Sequence, residues 1–190
     1  MKYFVFDVDG TLMNSAAVDQ QCLQQTLHEF GRDYTFEELR PSFGKPGRQT
    51  LADLGFTGET AERIMDRWEG LSQERASEVL AFDGIEALLR ALHARCCRCG
   101  IVTSRTHYQY GYGFSPLGLD GYFDAVICME DAPCTKPAPD PLLCWLWLAG
   151  TLGVGSSHNG SVLDAFGGAQ EAWEQRGSDA FRRAAGPGAA

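Results

Sequence analysis

Two aspartates near the start of the chain are spaced so that they could act together on one ligand. Asp7 and Asp9 follow the apolar run Phe4–Phe6, which has the composition of a buried strand. If the chain is still extended at this pair, both carboxylates share one face of the strand. Carboxylates suit a hard cation such as Mg²⁺, which keeps water ligands that a phosphate can replace. Gly10 follows and allows the backbone to turn sharply beside a ligand.

Two later positions carry polar groups that suit a phosphate. Thr103 ends a second apolar run, and a hydroxyl at the carboxyl end of a strand can donate a hydrogen bond to a phosphate oxygen. A threonine there is also a common turn residue. Lys136 stands in the proline-rich stretch 135–141, which is stiff enough to hold an ammonium group in place. The plain alternative for Lys136 is a solvated loop lysine.

Alternating strand and helix patterns must position these residues. The alternation predicts an α/β fold, a Rossmann-like parallel sheet flanked by helices. Residues 15–80 read as helices throughout, which predicts an α-helical cap inserted into a core of residues 1–14 and 81–190. The strands are predicted at Phe4–Phe6, Cys99–Thr103 and Phe123–Cys128. Helices are predicted at Ser15–Phe30, Glu59–Leu80 and Pro141–Leu148, and two more begin at Thr35 and Ile85. A loop is predicted at Ser42–Gly47.

Composition limits the classes of partner. The chain has 190 residues and a net charge of −9, which argues against a nucleic-acid surface. No apolar run is long enough to span a bilayer, and the chain begins without a signal-peptide pattern, so we expect a cytoplasmic protein. We also expect a monomer that binds neither nucleic acid nor membrane. The 7 cysteines are an odd number, which favours free thiols. Cys97 and Cys99 form a C-x-C pair without a matching second pair, so zinc binding there is not expected.

The motifs together resemble those of the haloacid dehalogenase (HAD)-like hydrolase superfamily. The stretch from Asp7 to Thr11 matches its D-x-D-G-T signature, and Thr103 and Lys136 match its second and third motifs. The helical insertion resembles the cap of the phosphoglycolate phosphatase and β-phosphoglucomutase branch. The resemblance implies a HAD-like fold and Mg²⁺-dependent hydrolysis of a small phosphomonoester.

The same resemblance implies a role for each motif residue. Asp7 would attack phosphorus and form a phosphoaspartate, and Asp9 would act as general acid and then as general base. Thr103 and Lys136 would offset charge on the transferred group. The partner would be a small phosphorylated metabolite.

Further residues are predicted to bind the substrate. Residues 44–51 resemble the substrate-specificity loop of the branch, where Lys45 or Arg48 would hold the part of an anionic substrate that does not react. Solvated charges on a turn are the alternative for each of them. The other predicted substrate-binding residues adjoin the catalytic motifs: Gly10, Thr11, Ser104 and Arg105.

The resemblance ends after about Leu148. The family's fourth motif, an apolar strand followed by two acids that help to hold Mg²⁺, has two imperfect alignments here. One places Ser156 at the first acid, and the other places Asp164 there. Asp164 also fits a helix cap with Ser161, the interpretation we prefer. The resemblance implies Asp7 and Asp9 as metal ligands, and Asp164 is a third candidate if it does not serve as that cap.

The C-terminal stretch from Thr151 is rich in glycine, and we expect it to be frayed beyond about Arg183. Its abrupt change in composition suggests an altered C-terminus, for example from a shifted reading frame. Two other functions stay open. A sugar-phosphate mutase would need Arg48 to hold a second phosphate, and a catalytically impaired phosphate-binding protein would explain the missing fourth motif.

Overall fold

A parallel sheet forms the centre of the computed structural model, which describes residues 2–151, 165–166, 171, 174–175, 178–180 and 183. Strands β1 (Tyr3–Phe6), β2 (Arg98–Val102) and β3 (Ala125–Ile127) pair in that order, each parallel to its neighbour. Phe6 is in register with Ile101, and Val102 with Ile127, so the carboxyl ends of the strands meet at one edge. The predicted α/β class and parallel sheet are confirmed.

Alternating side chains of β2 bury both faces of the sheet. Ile101 faces α5 (Ile85–Ala94), where it packs with Leu89 in one hydrophobic cluster. Val102 faces α7 (Asp140–Thr151) and shares a second cluster with Trp145. This period of two is what an extended chain dictates, and it explains the continuous apolar sequence of β2.

Four helices between β1 and α5 have a hydrophobic core of their own. They are α1 (Ala16–Glu29), α2 (Phe36–Leu39), α3 (Gly47–Asp53) and α4 (Gly58–Glu74). Their buried cluster consists of Leu23, Leu27, Leu39, Leu51 and Ile64. The capping box predicted at the start of α2 is present, with Thr35 and Glu38 bonded reciprocally. The exact domain boundaries at residues 15 and 80 stay a prediction.

Three elements differ from the sequence-based assignment. The helix predicted to reach Leu80 ends at Glu74, because Ala81 forms an antiparallel bridge with Met13 and the chain must extend to reach it. Helix α3 begins at Gly47, the last residue of the predicted loop, and continues to Asp53. Helix α6 (His107–Gly113) was missed, since its glycines and aromatic residues give no apolar period. Its capping box between Thr106 and Gln109 was the available signal.

All cysteines are free, as the odd count predicted. Within the ranges given above, no helix combines the length and the apolar character that crossing a bilayer requires. The segment containing Ser156 and Asp164 lies outside the described residues, and so does the tail beyond Arg183. The predictions made for those positions stay predictions.

Candidate active site

Asp7 lies directly after β1 and pairs with the lysine of the proline-rich loop. Lys136 Nζ donates to Asp7 Oδ1 at 2.8 Å and to the Val102 carbonyl oxygen at 3.2 Å. The backbone N–H of Val8 donates to the same Asp7 oxygen at 2.8 Å. Among the described residues no hydrogen bond goes to Oδ2 of Asp7, and its side chain is 42% exposed. One carboxylate oxygen is therefore fixed while the other can face a ligand.

Asp9 is held by Arg105 and Ser15. Arg105 Nε donates to Asp9 Oδ2 at 2.9 Å, and Arg105 Nη2 donates to Asp9 Oδ1 at 2.7 Å. Ser15 Oγ also donates to Oδ1, at 2.6 Å. This two-point geometry is the strong form of an arginine–carboxylate pair. Both oxygens of Asp9 therefore act as hydrogen-bond acceptors in this conformation.

A third acid joins this pair. Asp19 Oδ2, on α1, lies 3.7 Å from Arg105 Nη2. Burial, with a smaller contribution from Asp9, raises the pKa of Asp19 to about 6 against the opposing attraction of Arg105. Burial alone would lower the pKa of Arg105, but its hydrogen bonds to Asp9 and the nearby acids raise it. The guanidinium of Arg105 is thus the counter-charge of both Asp9 and Asp19.

The two residues after Asp9 stand at the margin of the site. Gly10 has a φ of +72° and a Cβ there would meet Phe43 Cε1 at 3.2 Å, so glycine suits both the turn and the close contact. Thr11 is exposed, and its backbone N–H donates to the Val8 carbonyl. Neither Gly10 nor Thr11 lines the cavity described below.

The end of β2 places its two hydroxyl residues differently. Thr103 is 2% exposed, and its Oγ1 accepts a hydrogen bond from the backbone N–H of Arg105 at 3.2 Å. Ser104 lines the cavity, whereas Thr103 is not among its lining residues. The catalytic role predicted for Thr103 therefore stays a prediction, and Ser104 is the better placed of the two to meet a ligand.

A cavity of about 140 Å³ separates the sheet edge from the helices α1, α4 and α6. Asp7, Asp9 and Lys136 line it from the sheet side. The lining also includes residues to which sequence reasoning assigned no role at the site: Asp19, Phe43, Met65, Trp68, Glu69, Gln109 and Tyr112. Of these, Trp68 packs against the core cluster of the four helices and also lines the cavity, which a helical period cannot reveal, since it does not tell a core face from a cavity wall.

The two cationic residues predicted to bind substrate, Lys45 and Arg48, lie in different places. Lys45 lines the cavity, and its Nζ lies 2.7 Å from Oδ2 of Asp53. Arg48 does not line it. Its guanidinium instead forms a two-point pair with Glu62 on α4, with Nη2 2.9 Å from Oε2. The structure therefore brings Lys45 to the site and leaves Arg48 on the surface.

The donors at the sheet edge fit a hard cation. Asp7 and Asp9 offer oxygen ligands at the carboxyl end of β1, and Asp7 is open to the cavity. Asp164, the third predicted ligand, lies outside the described residues. A separate group of metal-type side chains was not recognised in the sequence: His107 at the start of α6, and Cys128 and Asp131 just after β3.

These features define a member of the haloacid dehalogenase-like hydrolase family, to which the chain belongs: the family model matches residues 4–152. The chain is similar to pyrophosphatase PpaX of Listeria innocua, with 29% identity over 138 residues, 72% of this chain and 63% of that protein. It is also similar to PpaX of Oceanobacillus iheyensis, with 26% identity over 168 residues, 85% of this chain and 78% of that protein. The chain thus spans less than two thirds of the length of the Listeria relative.

Solved structures share the fold. A hydrolase from Pseudomonas syringae superposes with a TM-score of 0.71 and 24% identity, over 78% of this chain and 70% of that one. A protein from Haemophilus somnus described as a predicted phosphoglycolate phosphatase gives a TM-score of 0.69 with 18% identity, over 81% and 72% of the two chains. The match to the family model confirms the predicted family, and the solved structures confirm the predicted fold class.

Proposed function

We propose that this protein is a Mg²⁺-dependent phosphatase that hydrolyses a small phosphomonoester through a phosphoaspartate. The observation that carries the proposal is the 2.8 Å hydrogen bond from Lys136 to Asp7. Both residues line the cavity at the carboxyl edge of the sheet. This hydrogen bond leaves a carboxylate oxygen next to a fixed positive charge, which is the combination that attack on a phosphate requires. Ligands of open α/β sheets bind at this edge.

In the first proposed step, Asp7 forms an oxygen–phosphorus bond and the bond from phosphorus to the leaving oxygen breaks. Asp9 gives its proton to that oxygen. In the second step Asp9 takes a proton from water, whose oxygen bonds to phosphorus as the bond to Asp7 breaks, and phosphate leaves. Acid–base help of this kind contributes on the order of 10²–10⁴-fold.

Positive charge is supplied by Lys136 and by the metal. Lys136 donates at 2.8 Å to Asp7 and would meet the phosphoryl oxygens once they arrive. The carboxylate of Asp7 and the backbone carbonyl of Asp9 would hold Mg²⁺, together with Asp164 if that residue completes the set, so the Asp9 carboxyl stays free to carry a proton. When bound, the ion supplies charge that offsets the negative phosphoryl oxygens.

Asp9 must change partners during the proposed cycle. Both of its oxygens accept hydrogen bonds from Arg105 or Ser15. An oxygen in that arrangement cannot donate a proton to a leaving group. We therefore propose that substrate phosphate draws Arg105 away from Asp9, because a phosphate dianion competes with a carboxylate for the same guanidinium fork.

The cap side of the cavity favours a small substrate. A space of about 140 Å³ is lined by apolar groups of Phe43 and Trp68 and by the cation Lys45. Arg48, the residue that a mutase would need there, is paired with Glu62 outside the lining. Hydrolysis is therefore preferred to mutase activity. Pyrophosphate is a second candidate substrate, supported by the name of the PpaX relatives.

The test measures phosphate release from a panel of small phosphomonoesters and from pyrophosphate, with and without Mg²⁺. Asp7→Asn should abolish release, while Asp66→Asn, an exposed aspartate on α4, should leave it unchanged. With an aryl phosphate, whose leaving oxygen needs little help from a general acid, mass spectrometry after acid quenching should find a phosphoaspartate in Asp9→Asn and none in Asp7→Asn. Turnover by Asp7→Asn close to that of the wild type would refute the nucleophile. Fractionation and light scattering test the proposed cytoplasmic location and monomer.

A further inference from the structure

We propose that His107, Cys128 and Asp131 form a second metal site, separate from the sheet-edge cavity, that binds a zinc-class divalent cation. Each residue offers one ligand atom, and these atoms all lie within 4.8 Å of one another. None of the three lines the cavity that contains Asp7 and Asp9. The site therefore stands apart from the proposed phosphatase chemistry.

The donor set matches zinc better than magnesium. An imidazole nitrogen, a thiol sulfur and a carboxylate oxygen are the three ligand types that zinc accepts, whereas Mg²⁺ prefers oxygen alone. Ligands held at about 2.0–2.3 Å around a tetrahedral ion lie roughly 3.2–3.8 Å apart. His107 Nε2 and Asp131 Oδ1 are 2.9 Å apart, so this pair would have to widen slightly to admit the ion. The ligand atoms lie within 4.8 Å of one another, so any pair near that limit would have to close by about 1 Å.

The positions in the chain also suit a metal site. Cys128 and Asp131 are separated by two residues after β3, which is the spacing of many paired zinc ligands, with aspartate in the second place. His107 is the first residue of α6. Cys128 and Asp131 come from one short turn, and His107 comes from the start of a helix. Folding brings these three residues together.

The surroundings hold the ligands in place. Asp131 is 3% exposed, and its Oδ2 accepts a hydrogen bond from the backbone N–H of Cys128 at 2.7 Å, leaving Oδ1 toward His107. A ligating carboxylate is commonly fixed in this way by a second hydrogen bond. The carboxylate of Glu130 accepts the backbone N–H of His107 at 3.1 Å, which sets the position of the first turn of α6.

Access and charge are favourable. Cys128 is fully buried, but the His107 side chain is 56% exposed, so an ion has a route from solvent past the imidazole. A thiolate and a carboxylate together neutralise a divalent ion. Without metal, the hydrogen bond to Asp131 holds the pKa of His107 well above its usual range, so the alternative is a plain His107–Asp131 ion pair beside a free thiol.

The site would fasten two loops that flank the active site. The backbone N–H of Met129 donates to the Arg105 carbonyl at 2.8 Å, so the segments that carry His107 and Asp131 already touch through Arg105. A bound ion would fix this contact and with it the residue that pairs with Asp9.

The experiment removes metal with a chelator and titrates the full chain with Co²⁺ and Zn²⁺ in the Asp7→Asn background, which weakens the cavity as a competing site. Tetrahedral Co²⁺ bound to a thiolate gives a charge-transfer absorption band. We expect one equivalent of Co²⁺ with that band, displaced by Zn²⁺, and a rise in Tm on Zn²⁺ binding. Cys128→Ser should abolish the band, and Cys128→Ser and His107→Gln should each weaken Zn²⁺ binding by at least about 100-fold.

Cys97→Ser is the matched control, because it removes one thiol of the C-x-C pair and leaves the proposed ligands intact. His107→Gln tests the site even if the buried Cys128→Ser variant fails to fold. The proposal is overturned if the band persists in Cys128→Ser, if Cys97→Ser removes it, or if Zn²⁺ binds His107→Gln as tightly as the parent. Absence of Co²⁺ and Zn²⁺ binding would leave the ion pair as the correct description. None of these readouts depends on phosphatase activity.

Discussion

Arg105 and Asp9 form a two-point hydrogen-bonded pair whose side chains are only 12% and 19% exposed. The pair joins the residue after Ser104, at the end of β2, to the second aspartate of the D-x-D-G-T motif. The guanidinium of Arg105 therefore fixes the carboxylate of Asp9, the predicted general acid and base, before any substrate is present. It also lies 3.7 Å from Asp19, so its loss would leave two acids facing each other without a counter-charge.

Replacing Arg105 should destabilise the fold. Arg105→Ala leaves Asp9 and Asp19 partly buried without their shared cation, and breaking such a pair from one side costs roughly 3 kcal/mol. Urea unfolding measures the loss in free energy of unfolding. Arg48→Ala is the control, because it breaks a two-point pair of the same kind with Glu62 in an exposed position, where water screens the charges. Equal losses in the two variants would contradict the importance of burial at Arg105.

Lys136 should act on catalysis more than on substrate binding. Lys136→Met removes the donor to Asp7 Oδ1 and the charge beside the phosphoryl group, so we expect kcat to fall roughly 10²–10³-fold. Lys2→Met, an exposed lysine next to β1, should keep wild-type kcat. Steady-state kinetics on the best substrate separates kcat from KM. A Lys136→Met variant whose kcat matches that of Lys2→Met would exclude a role for Lys136 in the transition state.

Lys45, and not Arg48, should bind the part of the substrate that does not react. Lys45 lines the cavity, whereas Arg48 is paired with Glu62 away from it. Lys45→Ala should raise KM for an anionic substrate by about tenfold, the effect of losing one charged contact, and should change a small aryl phosphate less. Arg48→Ala should leave both values close to wild type. A larger rise in KM for Arg48→Ala than for Lys45→Ala would reverse the assignment.

Asp19 should make stability depend on pH. Its pKa is raised from 3.8 to about 6, so the folded chain holds this proton more tightly than the unfolded chain. The stability that this proton contributes is complete below pH 3.8 and is lost as the pH rises through about 6. Asp19→Asn removes this dependence.

The free energy of unfolding of Asp19→Asn, measured relative to wild type, should therefore rise by up to about 3 kcal/mol between roughly pH 4 and pH 7. Urea unfolding at a series of pH values gives this difference. Asp66→Asn, on the exposed surface of α4, is the control for removing a carboxylate away from the site. A constant offset for Asp19→Asn would show that Asp19 titrates alike in the folded and unfolded chains.

Local patterns in the sequence determined much of the fold. The apolar runs predicted all the described strands, and the Thr35–Glu38 capping box predicted the start of α2. The position of Asp7 directly after β1 also followed from sequence, because a strand end and a motif residue are neighbours in the chain. Such features depend on residues a few positions apart, whose relative geometry the backbone itself sets.

Tertiary structure alone decided which partners meet. Arg105 and Asp9 are 96 residues apart in the chain, and His107 and Asp131 are 24 apart. Arg48 pairs with Glu62 because α3 packs against α4, which no period in the sequence specifies. A contact between distant residues depends on how whole elements pack and on which rotamers that packing allows. The sequence therefore determined which residues could do chemistry, and the packing of the helices on the sheet decided which of them share a site.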